Sequence, residues 1–288
     1  MKRTEINIRD PFVLVHEGKY YLYGTRGATC WGPADGFDVY VSDDLENWRG
    51  PVECFHNDGS FWADRNYWAP EVHAWKGCYY MFASFKKDGI CRGTAILRAD
   101  TPLGPFVPHS DGRITPPAWE CLDGTFYVSP EGKPYMVFCH EWVQIGDGEV
   151  CAVPLTEDLR AAAGEPFVLF HASDAPWCKA MHHSSGMEGY VTDGPFLWRT
   201  ADGTLLCLWA SFSQSGYTEG VAVSDNGDIM GRFTQAEPLF DDDGGHGMVF
   251  RDLNGQLYLT LHSPNQHLEE RPVFHPLTEK GSRLARRG

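Results

Sequence analysis

The stretch "TDGPFLWRTADGTLLCLWAS", from Thr192 to Ser211, places an acidic residue before Gly-Pro, followed by an apolar run, a turn and a second apolar run. Asp, Gly and Pro each suit tight loops, and the two runs are rich in Leu, Trp and Phe. Because a turn with Gly separates the two runs, the stretch predicts an antiparallel β-hairpin. Asp193 stands at the head of its first strand.

Four other segments repeat this order of polar head, apolar run, turn and aromatic-rich run. They are "RDPFVLVHEGKYYLYGT", "APEVHAWKGCYYMFAS", "LDGTFYVSPEGKPYMVFCH" and "GGHGMVFRDLNGQLYLTLH". The five heads lie 52–70 residues apart and are Asp10, Glu71, Asp123, Asp193 and His246. Repeats of this length, each with several short strands, are typical of β-propellers. The sequence therefore predicts an all-β, five-bladed β-propeller as a single domain over residues 1–288, with the five heads in one register at one mouth of the central channel.

Composition narrows the choice of partner. The chain has 288 residues and is 42% hydrophobic, so it can bury a sizeable core. Its formal charge of −15, from 24 basic and 39 acidic residues, repels polyanions, so we expect no nucleic-acid and no membrane partner. Neither a secretion signal in "MKRTEINIRDPF" nor a transmembrane run is recognisable. Such a protein suits a neutral ligand.

The cysteines indicate the compartment. There are nine, an odd number, and none forms a Cys-x-x-Cys pair, which argues against a disulfide framework or a zinc site. Cys139, Cys151 and Cys207 lie inside apolar strand-like runs, where we expect them to be small buried hydrophobic residues. Reduced thiols and a cytoplasmic location are the simplest interpretation.

Taken in order, the repeats resemble glycoside hydrolase family 43. The resembling motifs, from about Ile6 to Leu277, are "IRDPFVL" with "GKYYLYGT", "WAPEVHAWKGCYYMFAS", "LDGTFYVSPEGKPYMVF", "TDGPFLWR" and "GGHGMVF". The resemblance implies an inverting exo-glycoside hydrolase with an oligosaccharide substrate, α-L-arabinofuranosidase first among the activities. Exo-β-galactofuranosidase, β-xylosidase and exo-galactanase are alternatives on the same fold. A non-catalytic carbohydrate-binding propeller is the alternative of another class.

The resemblance also implies roles for three carboxylates. Asp10 matches the general base, Asp123 the carboxylate that tunes and orients the acid, and Asp193 the general acid. The family typically has Glu at the last position, so Glu188 in "SSGMEGYVTDGP" is the alternative acid; if Asp193 is the acid, Glu188 is expected to bind substrate. Inversion needs one ionised and one protonated carboxyl, and acids placed close together raise the pKa of at least one of them. Glu71, in the second repeat, is expected to bind substrate.

Further residues are expected to bind sugar. Arg9 and Arg26 could bind hydroxyl groups, and Arg9 could keep Asp10 ionised, although a surface ion pair is the alternative for Arg9. Aromatic candidates for stacking on sugar rings are Trp31, Trp68, Trp119 and Trp142.

His246 is expected to line the channel. The resemblance places it on the channel axis, where it would bind sugar hydroxyls or hold a structural calcium or other cation. The chemistry itself requires no cofactor.

Overall fold

The computed structural model describes residues 1–183 and 186–287, and it confirms the predicted five-bladed β-propeller. Five four-stranded sheets follow one another along the chain, and neighbouring strands within each sheet pair in sequence order. All of these pairings are antiparallel, as expected for short strands joined by Gly-, Asp- and Asn-containing turns.

The first three blades occupy the N-terminal part of the chain. Blade one contains β1 (Ile8–His16), β2 (Lys19–Arg26), β3 (Gly36–Ser42) and β4 (Trp48–His56). Blade two contains β5 (Arg65–Trp75), β6 (Cys78–Lys87), β7 (Ile90–Ala99) and β8 (Val107–Arg113). Blade three contains β9 (Cys121–Val128), β10 (Pro134–His140), β11 (Glu149–Pro154) and β12 (Phe167–His171).

A small hairpin separates the third and fourth blades. It pairs β13 (Met181–His182) with β14 (Glu188–Gly189). Blade four contains β15 (Asp193–Arg199), β16 (Leu205–Ser213), β17 (Gly216–Ser224) and β18 (Phe233–Gln235). Blade five contains β19 (Gly245–Arg251), β20 (Leu257–Ser263), β21 (Arg271–Lys280) and β22 (Arg283–Arg286).

Helical structure is limited to short segments. The four-residue helix α1 (Trp142–Ile145) follows β10, and 3₁₀ turns lie at Arg3–Glu5, Gly27–Thr29 and Ala172–Asp174. Within the described residues, no helix combines the length and the apolar character that crossing a bilayer would require.

The ring closes without exchanging a strand between the chain ends. The first strand of every blade is innermost and contacts its counterparts in the two neighbouring blades, including β1 with β19. Side chains join the first and last blades: Asn7 Nδ2 donates to the carbonyl of Glu270 at 3.0 Å, and Arg271 Nε donates to that of Thr4 at 3.0 Å. Arg9 Nη1 also donates to the buried carboxylate of Glu270 at 2.8 Å.

The core lies between the faces of adjacent sheets. Aromatic rings of the first two blades pack edge to face, for example Phe37 with Phe85 at 5.9 Å between ring centroids. Cys139, Cys151 and Cys207 are fully buried in this core, as their apolar sequence context predicts. All nine cysteines are free thiols.

Candidate active site

Each inner strand has a residue with a left-handed backbone at its bulge near the mouth of the channel, and β5 has a second one, Asn66, at its start. The residues at the bulges are Asp10, Ala69, Asp123, Gly194 and His246, with φ between 46° and 57°. The pairing register shifts at or beside each of them, as in a β-bulge, which redirects side chains. The predicted common register therefore holds for Asp10, Asp123 and His246. Asp193 lies one residue before, and Glu71 two residues after, the equivalent position.

Polar side chains of neighbouring blades satisfy the backbone N–H groups at three of these bulges. Asp10 donates to His262 Nδ1 at 3.1 Å, and Ala69 donates to Thr25 Oγ1 at 2.8 Å. Asp123 donates to Ser84 Oγ at 2.7 Å. These contacts are buried, so an unpaired amide there would cost about 1–3 kcal/mol. Adjacent blades thus fix the backbone that carries two of the three carboxylates.

Gly194 gives the fourth bulge a different construction. Its N–H donates to Asp123 Oδ2 at 3.0 Å, which links the third and fourth blades. Its φ is +50°, and an added Cβ would lie 2.6 Å from Cγ of His246. Only glycine fits this position, which explains the Asp-Gly-Pro sequence and leaves Asp193 to enter the mouth from the residue before the bulge.

Asp10 is surrounded by groups that favour its ionised form. Thr25 donates to its Oδ2 at 2.6 Å, and Nδ1 of His246 lies 3.3 Å from its Oδ1. Burial opposes ionisation, but His246, Arg9 and the Thr25 hydroxyl outweigh it and lower the pKa of Asp10. Burial and the charge of Arg9 lower the pKa of His262 to about 3, so its neutral ring can accept the Asp10 amide proton.

The pKa values of Asp123 and Asp193 shift in the opposite direction, upward. Burial and the charge of Asp10 raise the pKa of Asp123 well above its ordinary value. Burial and the charge of Asp123 raise the pKa of Asp193 to about 7, against the lowering effects of His246 and of the Tyr217 hydroxyl, which donates to Asp193 Oδ2 at 3.0 Å. The mouth therefore holds one carboxyl group that ionises readily, Asp10, and a coupled pair, Asp123 and Asp193, in which ionisation of one raises the pKa of the other.

The three carboxylates line one cavity of about 560 Å³. A volume of this size accommodates a small ligand. All five blades contribute to its wall, together with α1 and residues 181–183. The other lining residues that carry polar or aromatic groups are Arg9, Trp31, Trp68, Arg92, Glu141, Trp142, His182, His183, Phe212, Tyr217, His246, Asn265 and His267.

Four predicted sugar-binding residues lie in this wall. Arg9 is paired with the buried Glu270 rather than in a surface ion pair, and its guanidinium lies over the ring of Trp31 at 5.4 Å. Trp68 packs edge to face with Trp31 at 5.4 Å, and Trp142 lines the opposite part of the mouth through α1.

Other predicted residues lie elsewhere in the described part of the chain. Trp119 stacks on His140 at 4.2 Å, and Arg26 pairs with Asp38, Asp35 and Glu53. Neither lines the cavity among the described residues.

Glu71 and Glu188 are also outside the cavity as far as the described residues define it. Glu71 is buried and accepts hydrogen bonds from Thr125 Oγ1 at 2.5 Å and His73 Nε2 at 3.0 Å, because it follows the second-blade bulge by two residues. The Glu188 side chain is 62% exposed and lies 4.0 Å from His182 Nδ1.

His246 lies on the channel side of the fifth inner strand. Its Nδ1 lies 3.3 Å from Asp10 Oδ1 and 3.6 Å from Asp123 Oδ2. Across residues 1–183 and 186–287, no group of three or more His, Cys, Asp or Glu side chains is arranged to hold a metal ion. The described protein donors around His246 thus do not form a direct coordination cage.

Sequence reasoning missed Thr25, Arg92, Glu141, Tyr217 and His262. Tyr217 and His262 lie in the second or third strands of their blades, in runs that indicate only a buried strand. Thr25 and His262 could have been found from their position in the repeat. Thr25 pairs with Arg9, just before Asp10, and His262 pairs with Gly245, just before His246.

A carboxylate that ionises readily and a carboxyl group that stays protonated, in one sugar-sized cavity at a propeller mouth, define a protein of the glycoside hydrolase class. The chain belongs to glycosyl hydrolases family 43, whose family model matches residues 4–282.

Two groups of relatives agree with this assignment. The chain is 42% identical to an endo-arabinase of Bacteroides thetaiotaomicron, with a TM-score of 0.90 and 97% of each chain covered. It is 26% identical over 215 residues to an extracellular exo-α-(1→5)-L-arabinofuranosidase of Cellvibrio japonicus, covering 69% of this chain. It is 22% identical over 145 residues, 47% of this chain, to an extracellular endo-α-(1→5)-L-arabinanase of Bacillus subtilis. The matches span 57% and 44% of the lengths of these two curated relatives.

Proposed function

We propose that the protein is an inverting exo-glycoside hydrolase that removes terminal α-L-arabinofuranosyl units from oligosaccharides or polysaccharide side chains. The observation that carries the proposal is the divergence of the pKa values of Asp10 and Asp193 within one cavity. Hydrolysis with inversion needs this division between a base and an acid. The arabinose-acting relatives support the choice of sugar.

In the proposed reaction, Asp10 removes a proton from the attacking water. Its lowered pKa keeps it ionised, and Thr25 fixes one of its oxygens. Asp193 gives its proton to the departing glycosidic oxygen, so that the leaving group departs as a neutral alcohol. Asp123 supports the acid in two ways. Its proximity helps to raise the pKa of Asp193, and its Oδ2 accepts a hydrogen bond from the N–H of Gly194, the residue after Asp193.

Arg9, Trp68 and His246 are proposed to bind the sugar from three sides of the cavity. Exo action is supported by the similarity to the exo-α-(1→5)-L-arabinofuranosidase of Cellvibrio japonicus. The second candidate is endo cleavage of an arabinan, which the 42% identical endo-arabinase favours.

Product analysis on linear (1→5)-α-L-arabinan separates the two. An exo enzyme releases arabinose from the first minutes and leaves the viscosity nearly constant, whereas an endo enzyme releases oligosaccharides and lowers it quickly. A panel of 4-nitrophenyl arabinofuranoside, galactofuranoside, xyloside and galactoside tests the sugar. Failure of wild-type enzyme to prefer the arabinofuranoside would overturn that part of the proposal. In ¹H NMR, the first-formed sugar should have the anomeric configuration opposite to that of the substrate.

A channel cation remains a proposal, with His246 as its protein contact, in part through water. Elemental analysis of dialysed protein tests it, and no calcium or other metal at stoichiometric level would contradict it.

We also propose a cytoplasmic location, which the nine free cysteines support. Titration of unfolded, unreduced protein should find nearly nine thiols, and several disulfides would contradict the proposal.

A further inference from the structure

Arg92 lies in the cavity wall with most of its hydrogen-bonding capacity unused. It is the third residue of β7 and only 9% exposed. Within the described residues, its guanidinium makes one hydrogen bond, from Nε to Glu141 Oε1 at 2.6 Å. Nη1 is buried without a partner. A guanidinium offers five N–H donors. Burying such donors without an acceptor costs free energy, so a ligand that accepts from them would be bound favourably.

The orientation of Arg92 is fixed from three directions. Its guanidinium carbon lies 3.6 Å from the centre of the Trp68 ring, close enough for a cation–π contact. Glu141 holds Nε from the side of blade three. The backbone N–H of Arg92 donates to the side chain of Glu120, one residue before β9, at 2.6 Å. The planar group is therefore held in place before any ligand arrives.

This position is on the Asp123 side of the cavity. Glu120 directly precedes the strand that carries Asp123, and the charges of both Arg92 and Glu141 act on the Asp123 carboxyl. Arg92 and Glu141 line the same cavity as Asp123, and Trp68, on which Arg92 packs, lines it as well. Arg92 is therefore among the groups that can contact a sugar bound beside Asp123.

We propose that Arg92 is a specificity-determining residue that donates hydrogen bonds to hydroxyl oxygens of the terminal sugar. Glu141 accepts from a hydroxyl beside it. The inference rests on the proposed function. It adds which class of sugar the wall around Arg92 and Glu141 selects. Because Glu141 already neutralises the guanidinium and the ionised Asp10 lines the same cavity, a uronate would meet excess negative charge. The wall suits a neutral, hydroxyl-bearing sugar.

The test is a substrate–mutant cycle on aryl glycosides. Wild-type enzyme and Arg92→Met are compared on 4-nitrophenyl α-L-arabinofuranoside and on its 2-deoxy and 3-deoxy analogues. We expect Arg92→Met to lower kcat/KM on the parent roughly 10–100-fold, the effect of losing a hydrogen bond from a charged group. On at least one deoxy analogue the same substitution should cost less than about 3-fold, because the hydroxyl is already absent.

Arg113→Met is the matched control. Arg113 also lies over a tryptophan, Trp62 in the segment before β5, at 5.7 Å, but it donates to the carbonyls of Cys91 and Pro117 and is outside the cavity as described. The kcat/KM of the Arg113→Met variant should stay at the wild-type level. If Arg92→Met folds poorly, Arg92→Lys carries the same comparison, because it keeps the charge but loses the planar fork.

An equal loss on the parent and on both deoxy analogues would overturn the inference, since a purely structural effect is independent of the substrate hydroxyls. The proposed function is tested separately by the wild-type enzyme. If wild-type prefers another glycoside of the panel, the arabinofuranoside assignment fails, and the cycle is run on deoxy analogues of that preferred glycoside. Coupling there would still support the role of Arg92.

Discussion

Asp10 in blade one and Asp193 in blade four are the same type of residue at the same mouth, yet their pKa values move in opposite directions. Burial raises both. Around Asp10 the neighbours are cationic or donate hydrogen bonds, namely Arg9, His246 and Thr25. The largest effect on Asp193 after burial is the charge of Asp123.

The neighbours, and not the residue type, set the pKa values of the two aspartates and so separate the proposed base from the proposed acid. The backbone contributes as well. Asp10 itself occupies the bulge, where His262 of the fifth blade holds its amide. In blade four the bulge is Gly194, and Asp193 is free to reach Tyr217. The following experiments test this difference between Asp10 and Asp193.

The largest expected effect is that of Asp10→Asn. The amide keeps the shape of the side chain and its contact with Thr25 but cannot accept a proton from water, so kcat should fall roughly 10²–10⁴-fold or more. Thermal unfolding should show that the variant is folded. Near-normal turnover by a folded variant would refute the role of Asp10 as the base.

Removal of the acid should give an effect that depends on the leaving group. Asp193→Ala should lower kcat/KM on arabino-oligosaccharides roughly 10²–10⁴-fold, yet largely spare a 2,4-dinitrophenyl glycoside, whose leaving group needs no proton. Glu188→Ala is the matched control, since this exposed carboxylate should show no such dependence. If the two variants exchange behaviours, Glu188 is the acid.

The two carboxyl groups should also be visible in the pH profile. Asp193 must be protonated, so kcat/KM on oligosaccharides should fall tenfold per unit as pH rises above about 7. Asp10 must be ionised, and its lowered pKa places the acidic limb below the ordinary range of an aspartate. With the dinitrophenyl glycoside the alkaline limb should disappear. Its persistence would show that another group causes it.

The smallest expected effect comes from Tyr217→Phe. The Tyr217 hydroxyl donates to Asp193 and stabilises its ionised form, so its loss should raise the pKa of Asp193 further. The alkaline limb should move to higher pH by about one unit, the scale of one hydrogen bond to a charged group. The acidic limb should not move. A shift of the alkaline limb to lower pH would contradict this account of Asp193.

Much of the fold could be predicted from the sequence. Strand alternation and the turns between strands are local, and the five repeats of this pattern predict a propeller, as the blades confirm. The same repeats identified four strand heads that line the cavity, Asp10, Asp123, Asp193 and His246. They did not predict the register, because the left-handed residue is Ala69 rather than Glu71 in blade two and Gly194 rather than Asp193 in blade four. A polar residue at a strand head does not reveal which neighbour has the left-handed backbone.

By itself, the sequence determined the five blades and brought Asp10, Asp123 and Asp193 to one end of the channel. Only the tertiary structure decided which of them loses its proton and which keeps it. That choice depends on contacts such as those of Tyr217, which lies in the same blade as Asp193 but 24 residues away in sequence, and of His262, which lies in the fifth blade 252 residues from Asp10. Electrostatic and hydrogen-bond energies depend on distances through space, which a repeating pattern along one chain does not specify.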